Sequence, residues 1–240
     1  RDMGSIHLLL LTSLLAPLVT AAPYADRVRT LPLWGPPPTP TYSGYLNADA
    51  AEPGTRLHYH FATAAASAPE DAPVVLWLNG GPGSSSLLGL FPEHGPLLIN
   101  ATGGLFANPY AWTRLAHVLV LESPGGVGFS FCEAQALGGA CANTDKSTAR
   151  AARAAVENFF EVKFPELSAR RFFITGESYA GVYVPTLARE LLDSGRVNLK
   201  GVAVGDPCTD NTCQADSMDM VWYAHKYGLL PDATFDVLWN

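Results

Sequence analysis

Four segments rich in apolar residues, at 74–78, 118–121, 172–175 and 199–204, constrain this chain more than any other feature. The first three read as strands buried in a sheet, and the last as a fourth strand. Between them lie stretches with apolar residues at helical spacing. One covers 149–164 and is stopped by Pro165; another covers 179–192 and ends near Gly195. Strands alternating with helices form parallel βαβ units, so the expected fold class is α/β, with a mostly parallel central sheet and helices on both faces. Ahead of these units, 42–46 and 57–61 read as a hairpin with Pro53-Gly54 in the turn. Residues 33–40 are proline-rich and extended, 62–72 are an alanine-rich surface loop, and no internal repeat is present.

Composition agrees with a folded protein that has a sizeable core: 48% of the 240 residues are hydrophobic and 15% are charged. The net charge is −7 and the lysines and arginines are scattered, so no nucleic-acid partner is expected. Residues 6–19 are nearly all apolar and are followed by Thr20-Ala21-Ala22, the small residues that a signal peptidase requires. The apolar stretch is short for a membrane span. It is therefore read as a signal peptide over 1–22, with Met3 as the start and no membrane span in the mature chain, 23–240. A secretory route makes Asn100-Ala101-Thr102 a usable glycosylation acceptor. It also suggests disulfides within the two close cysteine pairs, Cys132 with Cys141 and Cys208 with Cys213; four buried thiols are the alternative. No CxxC spacing or histidine cluster is present, so no metal is expected.

Two segments carry chemistry. Phe172-Phe173-Ile174-Thr175 runs directly into Gly176-Glu177-Ser178-Tyr179-Ala180-Gly181, and a helical pattern follows. A strand, a sharp turn and a helix are the context of a nucleophile elbow, in which the turn lifts the serine clear of the sheet. Ala180 occupies the last position of the usual Gly-x-Ser-x-Gly pattern and is small enough for the same close packing. The second segment, Trp77-Leu78-Asn79-Gly80-Gly81-Pro82-Gly83-Ser84-Ser85-Ser86, is a glycine-rich loop after a buried strand, where α/β hydrolases place a second oxyanion donor. It lacks the Lys-Ser/Thr of a phosphate loop, and Gly125-Gly126-Val127-Gly128 lacks dinucleotide-binding spacing.

Taken together with Glu93-His94-Gly95-Pro96, Asn108-Pro109-Tyr110-Ala111-Trp112 and 121–129, these blocks resemble the serine carboxypeptidase family over about 42–230. The Glu-His-Gly-Pro and Glu-Ser-Pro blocks look most like its cathepsin A and plant vacuolar branches. The resemblance implies an α/β-hydrolase fold and hydrolysis of C-terminal residues from peptides at acid pH through an acyl-enzyme, without a cofactor. It makes Ser178 the nucleophile and the amides of Gly81 and Tyr179 the oxyanion hole. Asn79, Glu93, Glu177 and the amide of Gly80 match the group that binds the substrate's terminal carboxylate, and Trp77 matches the residue that orients it. Leu88 and Pro92 fall where the family builds a leaving-residue pocket. Two neighbouring glutamates suit that task only if they share a proton, because two ionised carboxylates would repel the substrate.

Some positions depart from the family pattern. Ser84 stands where many members have cysteine, Gly125 and Phe131 replace alanine and tyrosine, and Asp206 replaces a common asparagine. The order of the triad in this fold is serine, aspartate, histidine. His225, the only histidine after Ser178, falls in a helical stretch that is not catalytic in the family. The aspartate and histidine are accordingly expected beyond residue 240, with this chain an N-terminal part that is nearly inert by itself. Peptide and protein C-termini are the implied partners, a homodimer is left open, and the implied setting is the vacuole, lysosome or cell exterior. Rival readings are an acyltransferase of the same fold and a non-catalytic protective partner of a lysosomal hydrolase.

Overall fold

A computed structural model describes residues 23–50, 52–210, 212 and 220–239. The signal-peptide reading over 1–22 lies outside these residues. So does Cys213, and with it the pairing expected for Cys208.

Seven strands form one sheet in the order β1-β2-β3-β7-β4-β8-β9. β1 (Arg27–Val28), β2 (Thr41–Asn47) and β3 (Arg56–Ala62) are an antiparallel run, and β3 pairs antiparallel with β7 (His117–Leu121). From there the sheet is parallel through β7, β4 (Val74–Leu78), β8 (Phe172–Glu177) and β9 (Leu199–Gly205). The four apolar runs are thus the parallel half, and the sheet as a whole is mixed. A separate hairpin joins β5 (Leu97–Ile99) to β6 (Leu105–Ala107).

Alternation along the central strands divides the core into two layers. Val74, Leu76 and Leu78 of β4, with Leu119 and Leu121 of β7, face the main core. There they meet α3 (Asp145–Asn158) and α4 (Ala180–Ser194), which pack on each other and on the sheet. Trp77, Val118 and Val120 point the other way and meet Leu90. That side is covered by α1 (Leu87–Gly89) and the π-helical turn Leu90–His94 that continues it. The short α2 (Glu133–Ala136) lies in the connection to α3; α5 (Met220–Lys226) and α6 (Asp232–Trp239) pack on each other, with His225 stacked on Phe235.

α3 begins four residues before the apolar spacing does. Thr144 caps it: its hydroxyl accepts from Ser147 N at 3.1 Å, and Ser147 Oγ accepts from Thr144 N at 2.8 Å. The first turn, Asp145-Lys146-Ser147, is polar, so hydrophobic periodicity is silent there. At its other end the helix widens into a π turn, Phe159–Lys163, before Pro165. The cysteines divide as the sequence allows: Cys132, the N-cap of α2, is bonded to Cys141, with Cα atoms 5.8 Å apart. Among the described residues no helix is long and apolar enough to cross a membrane.

Candidate functional site

The ends of β4, β7 and β8 converge at one rim of the sheet, the carboxyl end at which α/β proteins place their ligands. β8 stops at Glu177 and α4 starts at Ala180, which leaves Ser178 and Tyr179 to make the turn. Ser178 has φ +59°, left-handed backbone that is rare for a residue with a side chain. It is held there by its own main chain. Ser178 N donates to Gly205 O at 3.0 Å, and its carbonyl accepts from Gly181 N at 2.9 Å and Cys208 N at 3.1 Å. The residue is exposed, so the sharp turn does present the hydroxyl to solvent.

Small residues make the turn possible. A Cβ on Gly176 would lie 2.4 Å from Leu78 O and 2.6 Å from the Ala180 Cβ, and one on Gly181 would lie 2.4 Å from Cys208 O. Alanine at 180 therefore fills the space that the pattern reserves for a small residue. Asp206 follows β9 with φ +42°, a conformation that asparagine and aspartate both tolerate, so its replacement of asparagine is compatible with the backbone.

The glycine-rich loop leaves β4 and crosses directly over this turn. A Cβ on Gly80 would sit 2.3 Å from Tyr179 N and 2.8 Å from Glu177 O, so only a glycine lets the two backbones meet. Gly81 follows with φ +112° and a cis bond to Pro82, and Ser84 N closes the bend on Gly80 O at 3.1 Å. Gly83 N donates to the Tyr183 hydroxyl at 3.2 Å, which ties the loop to α4.

Asn79 is the hub of a polar cluster beside this turn. Its side-chain oxygen accepts from Trp77 Nε1 at 2.8 Å and Gly89 N at 2.9 Å, and its amide nitrogen donates to Glu177 Oε1 at 2.8 Å. Asn79 N in turn donates to Ser86 Oγ at 3.0 Å. Asn79 is buried, and its neighbour Trp77 is fixed by edge contact with His94 and Trp112, at ring distances of 4.6 and 5.6 Å. The π-helical turn brings Glu93 to the same rim. Partial burial, and then the charge of Glu177, push the Glu93 carboxyl above its ordinary range. Leu88 and Pro92 are exposed on the same segment.

On the opposite flank of the turn lies a cavity of about 630 Å³. Pro82 and Gly83, Pro124–Val127, Tyr179 and Tyr183 contribute to its lining, and the Tyr179 hydroxyl donates to Asp145 Oδ1 at 2.9 Å. Asn100 is exposed at a surface turn, where its side-chain oxygen accepts from Thr102 Oγ1 at 2.8 Å.

The five described histidines are engaged away from Ser178. His58 bonds Ser43 and Glu122, His117 accepts from Ala64 N, and His225 contacts Leu230 O. His94 is buried and His60 half-buried with its Nδ1 enclosed, and desolvation lowers both to a pKa of about 4, so they are neutral. Glu122 and His94 are among the residues here to which sequence reasoning gave no role. Both sit inside the matched blocks, but a buried carboxylate has no signature in periodicity or spacing.

Three comparisons bear on identity. A family model described as serine carboxypeptidase matches residues 32–238. The mouse lysosomal protective protein is 42% identical over 212 residues, covering 88% of this chain and 42% of that protein. Serine carboxypeptidase-like 20 of Arabidopsis thaliana is 38% identical over 239 residues, covering 94% and 46%. The chain thus spans less than half the length of these curated relatives. Among solved structures, the prohormone-processing carboxypeptidase Kex1(delta)p of Saccharomyces cerevisiae superposes with a TM-score of 0.66 at 25% identity, covering 81% of this chain and 44% of that one. With an α/β-hydrolase turn at Ser178 and a family match over most of its length, the chain belongs to the serine carboxypeptidase family.

Proposed function

We propose that this chain carries the nucleophile and the carboxylate-recognition group of a serine-type carboxypeptidase that removes C-terminal residues from peptides and proteins at acid pH. The observation that carries this reading is the adjacency of Ser178 and Glu177. One strained turn presents a nucleophilic hydroxyl, and the preceding residue is already bonded to Asn79 beside Glu93. A peptide's terminal carboxylate accepts hydrogen bonds from the Asn79 group, from Gly80 N and from a protonated Glu93. That places the last peptide bond over Ser178. The Ser178 oxygen attacks the carbonyl carbon, and the developing oxyanion is met by Gly81 N and Tyr179 N. The leaving amine takes a proton as the C–N bond breaks. Water then hydrolyses the ester, returning the hydrogen to Ser178 and releasing the shortened peptide as an acid. No general base is assigned among the described residues. The intact Asn79–Glu177 bond favours a peptidase over an acyltransferase, whose carboxylate-binding positions are altered. The Cys132–Cys141 disulfide and the exposed acceptor Asn100 support a lumenal or extracellular setting.

A phosphonofluoridate probe applied to the full-length gene product tests the reading. The expected result is one adduct per molecule, mapped to Ser178 by mass spectrometry and abolished in Ser178→Ala together with peptide cleavage. An adduct elsewhere, or cleavage that survives Ser178→Ala, would contradict it.

A further inference from the structure

Away from the nucleophile, a buried polar cluster links the two loops that flank it. Glu122 ends its strand's run into Ser123-Pro124 and is 1% exposed. Its Oε1 accepts the Ser85 hydroxyl, and its Oε2 accepts Phe129 N at 2.9 Å and His58 Nδ1 at 3.0 Å. On the far side of the imidazole, Nε2 lies 2.8 Å from Ser43 Oγ. The imidazole thus bridges the carboxylate and the Ser43 hydroxyl, which fixes the plane of the ring. Ser130 closes the cluster: its hydroxyl donates to Glu122 O at 2.6 Å and accepts from His58 N at 2.8 Å. A Cβ on Gly128 would lie 1.9 Å from Glu122 Oε1, so the loop wraps the carboxylate closely. Burial raises the Glu122 pKa, but the bonds from His58, Ser85 and Phe129 outweigh that and hold it below the usual range.

The partners of this carboxylate belong to functional segments. Ser85 is in the glycine-rich loop that carries Gly80 and Gly81 across the nucleophilic turn, and Phe129 is in the loop whose Pro124–Val127 wall the 630 Å³ cavity. Ser43, by contrast, is mid-strand in β2, paired with His60, and not in a strand-to-helix turn. The Ser43–His58–Glu122 order is thus structural, although it copies the connectivity of a catalytic triad. We infer that Glu122, oriented by His58, is a positioning residue: through Ser85 it sets where the Gly81 amide stands relative to Ser178, and through Phe129 it fixes the cavity wall. This rests on the serine-hydrolase reading above.

The test uses the full-length gene product and compares Ser85→Ala, Ser85→Thr, Glu122→Gln and the double variant Ser85→Ala/Glu122→Gln. Three quantities are read: the rate of Ser178 phosphonylation, kcat for a blocked ester, and the affinity for a product amino acid held by its carboxylate. Losing one oxyanion donor outright costs roughly 10²–10³ in kcat, and a displaced donor costs part of that. Ser85→Ala is therefore expected to slow phosphonylation and ester turnover by about tenfold or more, with product affinity changed less than about threefold. Ser85→Thr, which keeps the hydroxyl, should recover most of the loss. The double variant should be no slower than Glu122→Gln alone, because both remove the same link. Glu122→Gln places an amide donor against Phe129 N or His58 and risks misfolding; the half-buried Ser85 variants carry the test if it does. Ser85→Ala reacting at the wild-type rate, losses that multiply in the double variant, or a phosphonyl adduct on Ser43 would each overturn the inference. If the wild-type protein takes no adduct on Ser178, the serine-hydrolase reading itself fails and takes this inference with it.

Discussion

Asn79 satisfies three partners with one side chain, which holds the proposed carboxylate site in place before any substrate arrives. Glu177 is bonded at only one oxygen by that group, and the charge of Glu177 is one of the two causes that raise the pKa of Glu93. The sign of the pH dependence follows. Below the raised pKa, Glu93 is neutral and donates to a substrate carboxylate; as pH rises through it, the proton is lost and two charges face a third. Affinity for free-acid peptides should fall toward neutral pH, and that for esters with a blocked C-terminus should fall less. Glu177→Gln removes the repelling charge and should flatten the pH profile of KM for peptides. A hydrogen bond to a charged group is worth about 1.5–3 kcal/mol, so the expected change in KM is roughly tenfold or more. Identical KM profiles for free-acid peptides and blocked esters would contradict this account. The segments that meet at this rim were legible because each stands in a spaced block, yet Asn79's bond to Gly89 N was not. It depends on a helical turn that returns to β4, and neither Gly89 nor Ser86 carries a pattern that announces it.

At the scale of elements, every apolar run became a strand and both helical stretches became helices. A strand buried on two faces has a signature that solvent cannot blur. The misjudged boundaries lie where polar residues take over, as in the capped first turn of α3. The short β1 and the hairpin β5–β6 were silent for a different reason: two or three residues are too few to show a period. Backbone-to-backbone contact was equally hidden and gives a sharp test. Gly80→Ala drives a methyl into Tyr179 N, so the loop and the turn must separate; kcat/KM should fall at least about 100-fold, the scale of one lost oxyanion donor. Gly83→Ala meets nothing within 4 Å and suffers only from φ +91°, about 1–2 kcal/mol. It should lower the melting temperature but retain far more activity. Equal losses in the two variants, measured under conditions where both are folded, would mean that the contact at Gly80 is unimportant.

Across the whole molecule, apolar surface is unevenly distributed. β4, β7 and β8 are covered on both faces, whereas β9 leaves Val202 half-exposed, and α5, α6 and the turn between them show Trp222, Tyr223, Tyr227, Leu229, Val237 and Trp239 to solvent. Exposed apolar surface of this kind promotes association. Residues 23–240 produced alone should therefore form oligomers by light scattering, and Val202→Lys should reduce them; a cooperative monomer at all concentrations would refute this. The described sheet brings Ser178, Asn79 and Glu177 to one rim, and the account stands or falls on their acting together as proposed. The most direct measurement is mass spectrometry of two peptides of one sequence, one with a free C-terminus and one amidated, incubated at acid pH with the full-length gene product. The account predicts a ladder of single-residue losses from the C-terminus of the free acid, much slower loss from the amide, and none from either with Ser178→Ala. Internal cleavage, or equal rates on the acid and the amide, would contradict it.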